Sequence, residues 1–69
     1  MTADKHMIAL GRRVREVRKG KGISQERLAE IAGVDRSYIG NIERGEKNIT
    51  LKKSSEVCDA LGIDIKYLI

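Results

Sequence analysis

The segment SQERLAEIAGVDRSYIGNIERG, residues 24–45, contains two short helical patterns separated by only three residues. Ser24 precedes the first pattern as a good N-cap, and Gly33 follows it where a helix commonly ends with positive φ. Asp35 precedes the second pattern as another N-cap residue. Because the connection is so short, the two helices must cross steeply, as in a helix-turn-helix.

The interior of this segment has the residues that a steep crossing requires. Ala29 is a small residue one turn before Gly33, where we expect the two backbones to meet. Val34, Ile39 and Ile42 provide an apolar side that would hold the second helix against a core. The sequence therefore predicts a helix-turn-helix over residues 24–44.

Three further helices are predicted around this unit. The first runs from Asp4 to Lys19, another runs from Thr50 through Ala60, and a last short helix, IKYLI, follows Asp64. The apolar positions expected to face the core are Met7, Leu10, Val14 and Val17 in the first helix, Leu28, Ala29, Ile31 and Ala32 in the second, and Leu51, Val57, Cys58 and Leu61 in the fourth. Residues 1–69 are thus predicted to form one all-α domain of five helices.

Composition excludes several classes of protein. One cysteine rules out an internal disulfide, and one Cys with one His cannot form a metal cluster. No apolar run approaches the roughly 18–20 residues that span a bilayer, and the N-terminal MTADKHM has no signal-peptide core. The sequence contains no nucleophile–base set and no phosphate-binding glycine loop, so we expect no enzyme, no cofactor and no small-molecule ligand. These features predict a cytoplasmic protein.

The charge is unevenly distributed. The net charge is +4, and residues 1–22 carry seven Lys/Arg against two acidic residues. A basic domain favours a polyanionic partner, although many helical domains reach this net charge.

Polar side chains line one side of the second helix of the helix-turn-helix. They recur at spacings of three and four, and they are Arg36, Ser37, Asn41 and Arg44, with Gly40 among them. Arg can donate two hydrogen bonds to guanine, and Asn can both donate to and accept from adenine. Gly40 costs about 1 kcal/mol of helix propensity, which close approach of the helix to a DNA groove would explain. This stripe predicts a helix that reads bases in the major groove.

These residues carry a resemblance to a known family. The segment SQERLAEIAGVDRSYIGNIERG resembles the helix-turn-helix of phage repressors and Cro proteins, and the resemblance extends from about Leu10 to the terminal LGIDIKYLI. It implies a compact lambda-repressor-like domain. DRSYIGNIERGEKN is especially similar to the controller proteins of restriction–modification systems, which are homodimeric regulators. Ser37 and Lys47 stand where that group commonly has Thr and Arg.

The resemblance assigns roles by position. It implies base contacts for Arg36, Ser37 and Asn41. Gln25 would bind phosphate and support the start of the third helix, and Tyr38 would contact the DNA backbone through its hydroxyl. Lys47 and Asn48 would contact phosphate or the minor-groove edge. It also implies a structural salt bridge between Arg18 and Glu43, which would join the first helix to the third. A dimer interface is expected at Ile63, Ile65 and Leu68.

Together these features predict a sequence-specific transcriptional regulator that binds a pseudo-palindromic operator in double-stranded DNA as a homodimer. The alternatives are a phage-type repressor and an antitoxin-like helix-turn-helix protein whose main partner is another protein. A membrane-surface peptide based on the first helix is disfavoured, because that helix has no Trp or Phe anchor.

Overall fold

Four α-helices form the described part of the chain, which in this computed structural model comprises residues 5–46, 49–64 and 66. In chain order they are α1 (Lys5–Gly20), α2 (Gln25–Ala32), α3 (Arg36–Glu43) and α4 (Leu51–Leu61). The all-α class is confirmed, with four helices described where five were predicted. The fifth predicted helix lies outside the described residues except for Lys66, whose N–H donates to the Asp64 side chain at 3.1 Å.

The helices begin and end largely at the residues that the sequence indicated. The Ser24 hydroxyl accepts from the N–H of Arg27 at 3.0 Å, so the predicted cap of α2 is present. α2 ends at Gly33, whose φ of 73° suits glycine. Asp35 differs from the prediction, because it has the extended backbone of an N-cap but its side chain makes no capping hydrogen bond. Only its carbonyl begins the helix, accepting from the N–H of Tyr38 at 3.0 Å.

The core is aliphatic and lies where α1, α2, α3 and α4 meet. Its buried members are Val14, Leu28, Ala29, Ile39, Ile42, Val57, Cys58 and Leu61. α3 packs against both α1 and α2, and α4 packs against α2. Cys58 behaves as a small apolar residue, and burial, with the nearby charges of Asp59 and Asp64, raises the pKa of its thiol. In the described part of the chain, no helix has both the length and the apolar character that crossing a membrane requires.

Two predicted core residues lie on the surface instead. Leu51 is 77% exposed and Ile31 is 46% exposed. Leu51 is the first residue of α4 and extends beyond the core, so that Ser54, one turn later, is the buried residue at this end of the helix. Ile31 is rotated away from the side of α2 on which Leu28 and Ala29 are buried.

α1 approaches the end of α3 closely at two glycines. A Cβ added to Gly11 would lie 2.1 Å from the carbonyl oxygen of Ile42 and 2.9 Å from that of Glu43. Gly45, just after α3, also has a close neighbour, since its added Cβ would lie 2.9 Å from the Cα of Ile8. The α1 backbone thus meets the end of α3 with no room for a side chain at the contact.

We therefore expect Gly11→Ala to lower the free energy of unfolding by about 3 kcal/mol or more, because the atoms that oppose the new methyl group belong to the backbone. Urea unfolding followed by far-ultraviolet circular dichroism measures the loss. Gly20→Ala is the matched control, since Gly20 is in the same helix and an added Cβ there meets nothing within 4 Å. The control should be neutral or stabilising by up to about 1 kcal/mol. Equal urea midpoints for the two variants would contradict the close contact.

Candidate nucleic-acid interface

The outward side of α3 presents the polar residues predicted to read bases. Arg36 and Ser37 are exposed in its first turn, and Asn41 is half-buried one turn later. Ile39 and Ile42 are buried on the opposite side. The structure therefore brings the three predicted base-reading residues together on one accessible side of an anchored helix.

The other predicted contact residues have different settings. Tyr38 is half-buried and packs against the core, and together with Lys53 it lines a shallow groove beside the turn at residues 33–35. Ile63, predicted at a dimer interface, is also half-buried against the core. Four residues lie outside the described part of the chain: Lys47, Asn48, Ile65 and Leu68.

An ion pair between Arg18 and Glu43 joins α1 to the end of α3. Arg18 Nε lies 2.6 Å from Glu43 Oε2, and Arg18 Nη2 lies 3.0 Å from Glu43 Oε1. The side chains are only 9% and 4% exposed, so both charges have lost most of their water. The third guanidinium nitrogen, Nη1, donates to the carbonyl oxygen of Ile23 at 2.8 Å, which further offsets the loss of water around the arginine.

Gln25 completes this network from the first position of α2. Its Nε2 donates to Glu43 Oε1 at 2.9 Å. Because a carboxylate only accepts, the amide nitrogen must face Glu43, and a second N–H on the same nitrogen remains. The resemblance implied that Gln25 binds phosphate and supports the start of α3, but its hydrogen bond is to Glu43, so it ties the start of α2 to the end of α3.

The network changes the acidity of Glu43. Burial alone raises the pKa of this carboxyl, but hydrogen bonds from Arg18 and Gln25, with the charges of Arg18 and Arg15, outweigh burial. The net result is a pKa below the ordinary value of 4.5. Glu43 therefore stays ionised in the fold at neutral pH.

Arg44, just past the end of α3, folds back over the outward side of that helix. Its Nε donates to Glu46 Oε1 at 3.0 Å, and its Nη2 donates to Asn41 Oδ1 at 2.5 Å. The guanidinium also covers Gly40, where an added Cβ would lie 3.2 Å from Arg44 Nη1. Gly40 is buried, so the predicted clearance for a DNA groove is replaced by clearance for Arg44. The opposite charges of Arg44 and Glu46 flanking Gly45 were the available sequence signal for this arrangement.

Comparison with known proteins supplies relatives for this architecture. The sequence model of the helix-turn-helix family matches residues 14–68. The control protein C.SmaI of Serratia marcescens is 42% identical over 60 residues, which cover 87% of this chain and 71% of that protein.

Solved structures agree with the sequence relatives. The restriction–modification controller protein C.AhdI from Aeromonas hydrophila superposes with a TM-score of 0.89 at 43% identity, covering 91% of this chain and 96% of that chain. The controller protein C.Esp1396I, solved as a tetramer with its natural 35 base-pair operator, superposes with a TM-score of 0.87 at 29% identity, covering 93% and 86%.

The buried ion pair leads to a prediction for a double-mutant cycle. Arg18→Met or Glu43→Leu alone should each lower the free energy of unfolding by about 3–5 kcal/mol, because each leaves an unpaired buried charge. The double variant should be more stable than the less stable single variant. Urea unfolding of the four proteins measures the coupling, and Arg27→Met, which breaks the exposed Arg27–Glu30 pair, is the control with an expected change within about 1 kcal/mol. Additive losses in the cycle would contradict this role of the pair.

The lowered pKa of Glu43 leads to a prediction for acid stability. A carboxyl whose pKa is lower in the folded state adds stability above its unfolded pKa and loses it as the pH falls through the folded value. The free energy of unfolding should therefore decrease below pH 4.5, the ordinary value for Glu. Urea unfolding at several pH values from 7 to 2.5 measures the slope, which should be shallower in Glu43→Gln. The same slope in both proteins would show that other carboxyls account for the acid sensitivity.

Proposed function

The chain belongs to the helix-turn-helix family, and from this premise we propose that it is a homodimeric transcriptional regulator that controls a restriction–modification operon. The observation that carries the proposal is the outward side of α3, which exposes Arg36 and Ser37 and half-exposes Asn41. The controller proteins among its relatives support the choice of operon.

Sequence recognition is assigned to the start of α3. Arg36 is exposed in the first turn, where a side chain reaches base edges when the helix enters the major groove. Its guanidinium can donate two parallel hydrogen bonds to N7 and O6 of guanine. Ser37 and Asn41 add shorter polar groups along the same side. The buried Arg18–Glu43 pair supports this role, since a fixed helix loses less entropy on binding.

Backbone contacts flank these base contacts. Gln25 has an N–H left after its bond to Glu43, and it lies at the start of α2, where the helix dipole favours a phosphate. Tyr38, Lys47 and Asn48 are proposed as the other phosphate contacts. Such contacts set the position of a protein on DNA and do not select its sequence.

A dimer would place two copies of α3 in successive major grooves, about 34 Å apart, on a pseudo-palindromic operator. We assign the interface to the C-terminal end, with Ile63, Ile65 and Leu68. The tetramer of C.Esp1396I on its operator is a related assembly that supports an oligomer on DNA. The proposed activity is binding without catalysis, and it would take place in the cytoplasm.

The experiment is selection from random DNA duplexes, which should yield a two-fold symmetric site for the wild-type protein. Arg36→Ala should weaken binding to that site by about 1–3 kcal/mol and relax the preference at one symmetric position. Arg13→Ala removes the same charge from the exposed surface of α1 and should leave the base preferences unchanged. Lys47→Ala should weaken binding to all duplexes about equally.

Salt provides the second measurement, because contacts with several phosphates make DNA affinity fall steeply as salt increases. The proposed function would be contradicted if the protein selected no DNA sequence and its affinity for DNA did not change with salt. Unchanged selectivity in Arg36→Ala would remove Arg36 from the reading residues.

A further inference from the structure

The free protein already occupies part of its reading surface with one of its own side chains. Arg44 donates to Asn41 Oδ1 through Nη2 and to Glu46 Oε1 through Nε, at 2.5 and 3.0 Å. Gly40 lies directly beneath the guanidinium. Two hydrogen bonds therefore hold Arg44 across the surface where Asn41 is expected to meet a base.

This arrangement determines the orientation of the Asn41 amide. A guanidinium carries only donors, so the atom of Asn41 that faces it must be the carbonyl oxygen. The amide nitrogen Nδ2 is then directed away from Arg44. Its two N–H groups are not engaged by Arg44, whereas Oδ1, the acceptor that recognition of adenine also requires, is partly occupied.

We propose that Arg44 is a specificity-determining residue that shifts the base preference of Asn41 from adenine toward guanine. The inference rests on the proposed function and adds to it the base that this position selects. Guanine offers two acceptors, N7 and O6, in the major groove, while adenine offers one acceptor beside a donor. One lone pair of Oδ1 is engaged by Arg44, and the other lies beside the cationic guanidinium, which opposes the approach of a second donor such as the N6 group of adenine. Cytosine, which presents a donor, is the least favourable base.

The turn after α3 places Glu46 where it can hold Arg44. Gly45 adopts a φ of 73°, its N–H donates to the Ile42 carbonyl at 3.0 Å, and the N–H of Glu46 donates to the Asn41 carbonyl at 2.9 Å. These two bonds form a Schellman motif, which returns the chain over the last turn of the helix. The Arg44 and Glu46 side chains are 58% and 57% exposed, so their pair contributes little stability. The pair instead affects the orientation of the Arg44 guanidinium.

Gly40 also contributes to this geometry. A Cβ at this position would lie 3.2 Å from Nη1, so the guanidinium would have to shift by a few tenths of an ångström. The glycine that weakens α3 as a helix therefore lets Arg44 lie closer to it. Gly40, Asn41, Arg44 and Glu46 act as one unit in this proposal.

The test compares base preferences at the operator position that depends on Asn41, identified as the one whose preference disappears in Asn41→Ala. Relative affinities for duplexes with each of the four bases there are measured by competition. The wild-type protein should bind guanine at least as well as adenine. Arg44→Met frees Oδ1 and should shift the guanine-to-adenine ratio toward adenine by about fivefold, the value of one hydrogen bond.

Two further variants separate the effect of the Asn41 amide orientation from the effect of the protein's net charge. Glu46→Ala also releases Arg44, so it should shift the ratio in the same direction as Arg44→Met, although it makes the net charge more positive and should raise overall affinity. Arg27→Met removes a positive charge from the exposed pair on α2 and should lower affinity without changing the ratio. Circular dichroism checks that all variants are folded.

An unchanged ratio in both Arg44→Met and Glu46→Ala would overturn the inference, as would a clear adenine preference in the wild-type protein. The inference would also be overturned if Asn41→Ala kept every base preference of the wild-type protein, because Asn41 would then read no base. These outcomes leave the proposed function in place as long as the wild-type protein selects a symmetric site. Failure of the proposed function is recognised separately, by the absence of any selected sequence.

Discussion

The buried ion pair between Arg18 and Glu43 is the interaction on which the position of α3 depends. Removing two charges from water is costly, and here the cost is offset by hydrogen bonds from Gln25 and to the carbonyl of Ile23 as well as by the pair itself. The pair lies beside the contact of Gly11 with the last carbonyls of α3. α1 and the start of α2 therefore hold the same end of α3, which sets the direction in which its outward side faces.

This external support explains how α3 can have such an unfavourable helix sequence. It has eight residues, two of which are β-branched, and it contains Gly40. A helix of this length is unstable in isolation, since short helices in proteins depend mainly on tertiary packing. Ile39 and Ile42 provide that packing, and Glu43 provides the polar attachment. The remaining positions are then free to carry polar side chains on the outward side of α3, with Arg44 lying over Gly40.

The sequence predicted the elements that rest on local chemistry and periodicity. The helix-turn-helix bounds followed from Ser24, Gly33 and the short connection, and the ion pair of Arg18 with Glu43 followed from a family resemblance. Leu51 and Ile31 were placed in the core because apolar residues at helical spacing usually face inward. Their exposure depends on where α4 begins and how α2 is rotated against its neighbours, which a single helical pattern does not contain. From the sequence, Gly40 was attributed to clearance for a DNA groove. Its actual neighbour is Arg44, whose position depends on the turn after α3 and is not given by the helical pattern alone.

By itself, the sequence determined an all-α domain, the two helices of the helix-turn-helix and the side of α3 that carries Arg36, Ser37 and Asn41. These properties depend on residues within a few positions of one another, so the 3.6-residue helical repeat and the capping residues are sufficient to predict them. Only the tertiary structure decided that Gln25 shares the carboxylate of Glu43 and that Gly11 meets the carbonyl oxygen of Ile42 with no room for a Cβ. The physical reason is that a hydrogen bond is selected by distance and direction in space. Those quantities become defined only when α1, α2 and the turn after α3 are packed together.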